Sequence, residues 1–154
     1  GTVGVNVTSS VPFIAGEWTS AIAVCASSTS QIIYVNGSGA GTNTTSMPLS
    51  GLDRFQIGTR MAGAGTYGAY FDGDIADVAV FNVALTVEEV TALSGGGVFA
   101  NRVNPRKIRA GNTNGLKSYI PLWGIDPVNE HDLLRGKINA SNAPVAADHP
   151  LFPQ

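Results

Sequence analysis

The densest group of residues able to do chemistry is the acidic set Asp72, Asp74 and Asp77. Hard cations take about six to eight oxygen ligands, so three carboxylates this close in sequence suggest a calcium site completed by loop carbonyls. Asp72 and Asp74 share strand parity, whereas Asp77 lies on the other parity unless Gly73 forms a bulge. The competing reading is a structural turn, with Asp72 bonded to nearby backbone amides. A second candidate set would bind sugar: Tyr67 in a glycine-rich stretch could stack on a ring, and Asn43 and Asp53 could supply hydrogen bonds. One aromatic is not a site, and Tyr67 could equally anchor its loop or meet a neighbouring subunit.

Catalytic constellations are thin. Hydrolysis of a glycoside needs two acids about 5–9 Å apart across the scissile bond. The glutamates are Glu17, Glu88, Glu89 and Glu130. Glu88 and Glu89 belong to a helix start, and Glu17 precedes Trp18 at a turn. His131 and His149 are the only histidines, and no Gly-x-Ser-x-Gly elbow accompanies them. Cys25, the only cysteine, excludes an internal disulfide and a cysteine-rich zinc site. Its strand parity of small residues predicts an inert packed thiol. The reading is a non-enzyme with no cofactor other than calcium.

The elements that must position these residues are mostly strands. Trp18, Ile22 and Val24 alternate along 18–25, and Gln31–Asn36 follows as a second strand, so the two should form an antiparallel hairpin. Asn36-Gly37 is a strong turn signal. Residues 38–46, rich in Gly, Thr and Asn, read as an exposed loop, and Leu52–Ile57 as a third strand. The glycines of 61–69 argue against a regular element and predict a mobile loop. The longest strand signal runs from Tyr70 to Phe81, with a kink expected at Gly73. Thr86 and Glu89 have the spacing of a capping box. The helix they open should pack through Val87, Val90 and Leu93 and end at Gly95-Gly96-Gly97. Beyond it, 98–115 reads as an extended connector carrying Arg102, Arg106, Lys107 and Arg109. Leu116–Trp123 is a strand that ends, or becomes an edge, at Pro121. Leu133–Ala140 reads as a last strand, and 141–154 as a Pro-rich extended arm.

Composition bounds the class. Nineteen glycines and eight prolines in 154 residues fit many turns and short strands. Charged residues make up only 13%, against about 25% in an average domain, while 44% are hydrophobic. Nine basic against eleven acidic residues leave a formal charge of −2, with no basic patch for nucleic acid. No apolar run approaches the roughly 18 residues of a membrane helix. Gly1–Ser10 lacks the pattern of a signal peptide. Without an initiator Met, the chain is expected to be processed or part of a longer one.

In order and spacing, Trp18, Ile33-Tyr34-Val35-Asn36-Gly37, Phe55-Gln56-Ile57-Gly58, Phe71-Asp72-Gly73-Asp74-Ile75-Ala76-Asp77-Val78 and Ala84-Leu85-Thr86-Val87-Glu88-Glu89-Val90 resemble the second half of a laminin-G-like, concanavalin A-like lectin/glucanase domain. The resemblance covers about 16–94. Ala76 departs from it, since an acid is common there. The resemblance implies an all-β fold: a two-sheet antiparallel jelly-roll sandwich, incomplete at its N-terminus, with one short helix and an extended C-terminal arm. It divides the chain into 1–97, the C-terminal part of the sandwich, and 98–154, a connector with one or two strands and the arm. Relatives that cleave glycosides carry Glu-x-Asp-x-x-Glu-like strands, and this chain has none. The family's first strands are absent; a longer chain or a neighbouring subunit would supply them.

The tail is similar to C-terminal extensions of laminin-G-like proteins of tailed bacteriophages, through Gly115-Leu116-Lys117-Ser118-Tyr119-Ile120-Pro121-Leu122-Trp123-Gly124, Asp132-Leu133-Leu134 and Ala146-Ala147-Asp148-His149-Pro150. The expectation is a structural virion protein, as capsid decoration or tail component, on the virion surface or extracellular. Its partners would be other virion subunits or copies of itself, engaged through its arms, with no nucleic acid and no membrane insertion. The competing expectation is a carbohydrate-binding, lectin-like module that adheres to surface glycans.

Overall fold

The computed structural model describes residues 6–47, 56–62, 66–68, 70–122, 131–132, 134 and 136–137. Within them the chain is mostly antiparallel β-structure with one short two-turn helix, consistent with a concanavalin A-like sandwich. Strands β1 (Ala21–Ser27), β2 (Ser30–Val35) and β3 (Ser38–Asn43) form one sheet in that order. The expected first hairpin is present, with Ala21 opposite Val35 and Cys25 opposite Gln31. Trp18 precedes β1 rather than joining it.

Of the expected loop 38–46, residues 38–43 form a strand. Asn36 (φ 50°) and Gly37 (φ 83°) form a two-residue turn with both φ values positive, which matches the twist of the flanking strands and returns the chain as β3. Low β-propensity along β3 is overridden by pairing to the apolar β2, with Ile33 opposite Gly41. Residues 6–10 lie along the outer side of β3: Ser10 N–H donates to Ala40 O at 2.7 Å and Asn43 Nδ2 to Asn6 O at 2.6 Å.

Two further expectations about 57–81 are corrected. In the expected mobile loop 61–69, β4 (Arg60–Ala62) and β5 (Thr66–Gly68) pair antiparallel, Met61 opposite Tyr67. The expected strand 70–81 is regular only as β6 (Val78–Phe81), because Asp77 sits at φ 56°, a left-handed conformation that breaks a strand. Of the strand expected at Leu52–Ile57, residues 52–55 lie outside the described residues, and Ile57 is in a bend.

Helix α1 (Val87–Ser94) has the expected start. Glu89 N–H donates to Thr86 Oγ1 and Thr86 N–H donates back to Glu89 Oε2 at 2.9 Å. It stops at Gly95, whose φ of 67° is left-handed. Val90 is fully buried, but Val87 is exposed, so the packing stripe is narrower than expected.

The connector is not extended. It makes short 3-10 turns at Gly95–Gly97 and Phe99–Asn101, then a single turn, α2 (Arg109–Asn112). Val103 N–H donates to Ala92 O at 2.9 Å, and Arg102, Ile108 and Ala110 are buried. These contacts hold it against α1 instead of leaving it to cross a neighbour. Strand β7 (Leu116–Ile120) ends before Pro121 as expected and pairs antiparallel with β6, Ala79 opposite Tyr119. This pairing carries one sheet across the 97/98 division. The last strand expected at Leu133–Ala140 is replaced, where described, by β8 (His131–Asp132) paired with β9 (Gly136–Lys137). The arm 141–154 lies outside the described residues.

Candidate functional site

Asp77 is the most constrained acid. Its left-handed backbone starts β6, and its N–H donates to Pro121 O at 3.0 Å. Its carboxylate accepts from Arg102 Nη1 and from Tyr119 Oη, each at 3.0 Å. The ion pair is buried, with the Arg102 and Asp77 side chains only 7% and 9% exposed. Arg102 also donates from Nε to Phe99 O at 3.3 Å and lies 5.0 Å over the Phe99 ring. Burial, and after it the charge of Asp77, hold the Tyr119 hydroxyl far above the ordinary phenol range. It therefore remains a protonated donor. A buried charge needs such partners, so this arrangement joins β6, the connector and β7.

Asp72 and Asp74, by contrast, are exposed. Among the described residues no group of three or more His, Cys, Asp and Glu is placed to hold a metal ion, so the expected calcium ligands are not assembled as a set. Of the sugar candidates, only Asn43 has a described side chain. Asn43, the last residue of β3, is already engaged, donating to Asn6 O and accepting from Thr45 N–H, each at 2.6 Å. Tyr67 has its backbone in β5, but its side chain, like all of Asp53, lies outside the described residues. Cys25 is exposed, contrary to the packed thiol expected. It stands on the β1 edge, where small neighbours leave it uncovered.

Glu89 is structural. Buried at the start of α1, it accepts from Thr86 N–H, from Ala110 N–H at 2.8 Å and from Arg109 Nη2 at 3.0 Å. Burial opposes its charge, but these donors outweigh burial and hold its carboxyl below the ordinary value.

Among the described residues an open groove of ≈ 1190 Å³ lies between β1 and β6. Its walls include Ile22, Val24, Val78 and Val80, with Phe13 and Phe71 at the rim and the Asp77–Arg102 pair among its lining. Phe13 is 69% exposed and Phe71 50%. Sequence reasoning missed this groove because its two walls are far apart along the chain. Phe13 lay before the first recognised strand, and Phe71 was assigned to one.

Residues 1–91 match the family model Laminin_G_3, described as the concanavalin A-like lectin/glucanases superfamily. That is more than half of the chain, and the chain belongs to this family. It is similar to the crystal structure of a segment of an S-layer domain-containing protein from Clostridium thermocellum, at 26% identity and a TM-score of 0.48. That similarity covers 56% of this chain and 43% of the other, so this chain spans less than half of that neighbour's length. A search of curated proteins gives no match. Among the described residues no helix is long and apolar enough to cross a membrane.

Proposed function

We propose that this chain is a non-enzymatic structural module of a phage virion, a laminin-G-like two-sheet jelly roll displayed on capsid or tail and held by its C-terminal arm. The observation that carries an assembly role is the open groove between β1 and β6, with half-exposed or more exposed Phe13 and Phe71 at its rim. Exposed contiguous apolar surface is one mark of a protein–protein contact. The phage setting is supported by the tail sequence from Gly115 to Gly124 and by Ala146 to Pro150. Glu88 and Glu89 open a helix and do not form a hydrolytic pair. Quantitative mass spectrometry of gradient-purified particles tests the reading. Fixed, high stoichiometry is expected, with reduced incorporation after deletion of residues 141–154. Absence from particles, or unchanged incorporation of the deletion, would overturn it.

A carbohydrate-binding role is the second reading. Two exposed aromatics at one groove, beside Glu17 and Asp74, have the chemistry of a stacking platform with acceptors. Binding of the intact chain to a soluble-glycan panel, lost in Phe71→Ala, would favour it.

A further inference from the structure

We propose that Asp72–Gly73 is a site of spontaneous backbone modification in the folded chain, where Asp72 converts to isoaspartate through a cyclic imide. Aspartate and asparagine are open to this chemistry where glycine follows, because glycine has no Cβ to hinder attack by its own amide nitrogen. Three pairs in the sequence qualify: Asn36–Gly37, Asp72–Gly73 and Asn114–Gly115. In an unfolded chain the asparagine pairs react faster, since an ionised carboxylate resists attack and must first take up a proton.

The fold restrains both asparagine pairs. Asn36 N–H donates to Ser20 O at 2.9 Å and its Oδ1 accepts from Ser20 N–H at 3.0 Å, so main chain and side chain are both held. Gly37 lies against the end of α1, where a Cβ on it would stand 2.5 Å from Ser94 Oγ. At Asn114–Gly115 the attacking amide is occupied: Gly115 N–H donates to Ala110 O at 2.8 Å, and Gly115 O accepts from Asn82 N–H at 2.9 Å. Asp72 and Gly73, by contrast, are both exposed in an irregular stretch with a bend at Gly73. Among the described residues neither makes a hydrogen bond, so the Gly73 nitrogen is open to attack Cγ of Asp72.

The step balances within the chain and water. The Gly73 nitrogen attacks Cγ of the protonated Asp72 carboxyl, the N–Cγ bond forms, and the amide proton and carboxyl hydroxyl leave as water. Water then adds to the imide at the Asp72 main-chain carbonyl, and the bond from that carbon to the Gly73 nitrogen breaks. The chain now runs through Cβ and Cγ, with no net change in mass. It gains one methylene between Phe71 and Asp74, both of which line the groove. The site is independent of the virion reading, and either can fail alone.

The test is peptide mapping by mass spectrometry of the 154-residue chain carrying Asp72→Asn, incubated folded and in guanidinium chloride at mildly alkaline pH. The substitution sets the same chemistry at all three positions and makes each conversion readable as the mass gain of deamidation. Position 72 should convert at nearly the same rate in both conditions. Asn36 and Asn114 should convert at least about tenfold more slowly in the folded chain, because each waits on a local opening. The native chain, held folded at mildly acidic pH, should acquire isoaspartate at position 72, read by labelling with an isoaspartate methyltransferase. Asp72→Glu should remove that label. Protection of position 72 by folding to the extent seen at Asn36 and Asn114 would overturn the proposal. So would a native chain without the label at position 72, or a label unchanged in Asp72→Glu. If Asp72→Asn misfolds by circular dichroism, the native chain and Asp72→Glu decide.

Discussion

Arg102 is buried on the connector, and its side chain takes part in an ion pair, a carbonyl bond and a ring contact. Removing one member of a buried pair strands the other in a low-dielectric site, at a cost of about 3–5 kcal/mol. Arg102→Ala should therefore lower the unfolding free energy from urea titration by about 3–5 kcal/mol, while Tyr119→Phe, which deletes one hydrogen bond to the carboxylate, should cost about 1–3 kcal/mol. Equal effects of the two would show that Asp77 is not the centre of the joint. Glu89 gives a pH prediction. Its folded pKa lies below its ordinary value of 4.5, so its contribution is fully present above that value and is lost as pH falls through the folded pKa. Exposed Glu88 shifts the same way, through its own backbone amide and Thr86. Stability measured by urea titration should fall as pH drops below 4.5, and Glu89→Gln should flatten part of that fall. A slope unchanged in Glu89→Gln would rule out the donors around its carboxylate as the cause.

At the level of elements, β6 and β7 depend on each other. The family match ends at residue 91, yet β6 finds its partner strand at Leu116–Ile120, and Asp77 is bound by Arg102 and Tyr119, both after residue 97. A fragment of residues 1–97 would expose one edge of β6 and lack the Arg102 and Tyr119 partners that fix Asp77 at its start. It should lack the cooperative urea transition of the full chain, whereas a fragment ending at Leu122 should retain one. A cooperative 1–97 would show that the connector is an accessory. The same dependence explains what the sequence revealed. The capping box at Thr86 and Glu89, the Asn36-Gly37 turn and the stop at Pro121 are local rules, and local spacing is enough to read them. Strand β3 was hidden because Gly39, Gly41 and Thr42 gain their order from β2. The break at Asp77 was hidden because its partners lie 25 and 42 residues away. The three acids do not form one ligand set for a related reason: sequence proximity groups Asp77 with Asp72 and Asp74, while its tertiary partners include a cation and a phenol.

The charges of the whole molecule are few and unevenly placed. Eleven acids and nine bases leave −2, and none of them falls between Glu17 and Asp53, the stretch that contains the first sheet. An interface built on that sheet draws on strand pairing and apolar contact and gains nothing from ion pairs. Screening acts on exposed charges beyond about 8–10 Å at ordinary ionic strength, so it has little to act on here. Apolar contact is strengthened by excluded salts such as sulfate. Association of the chain with itself, followed by sedimentation velocity, should therefore be unchanged between low and moderate sodium chloride and should tighten in ammonium sulfate. Tightening without a sodium chloride response would place the contact on the uncharged sheet. Steep weakening by sodium chloride would instead place it on the charged surface near Arg106, Lys107 and Arg109.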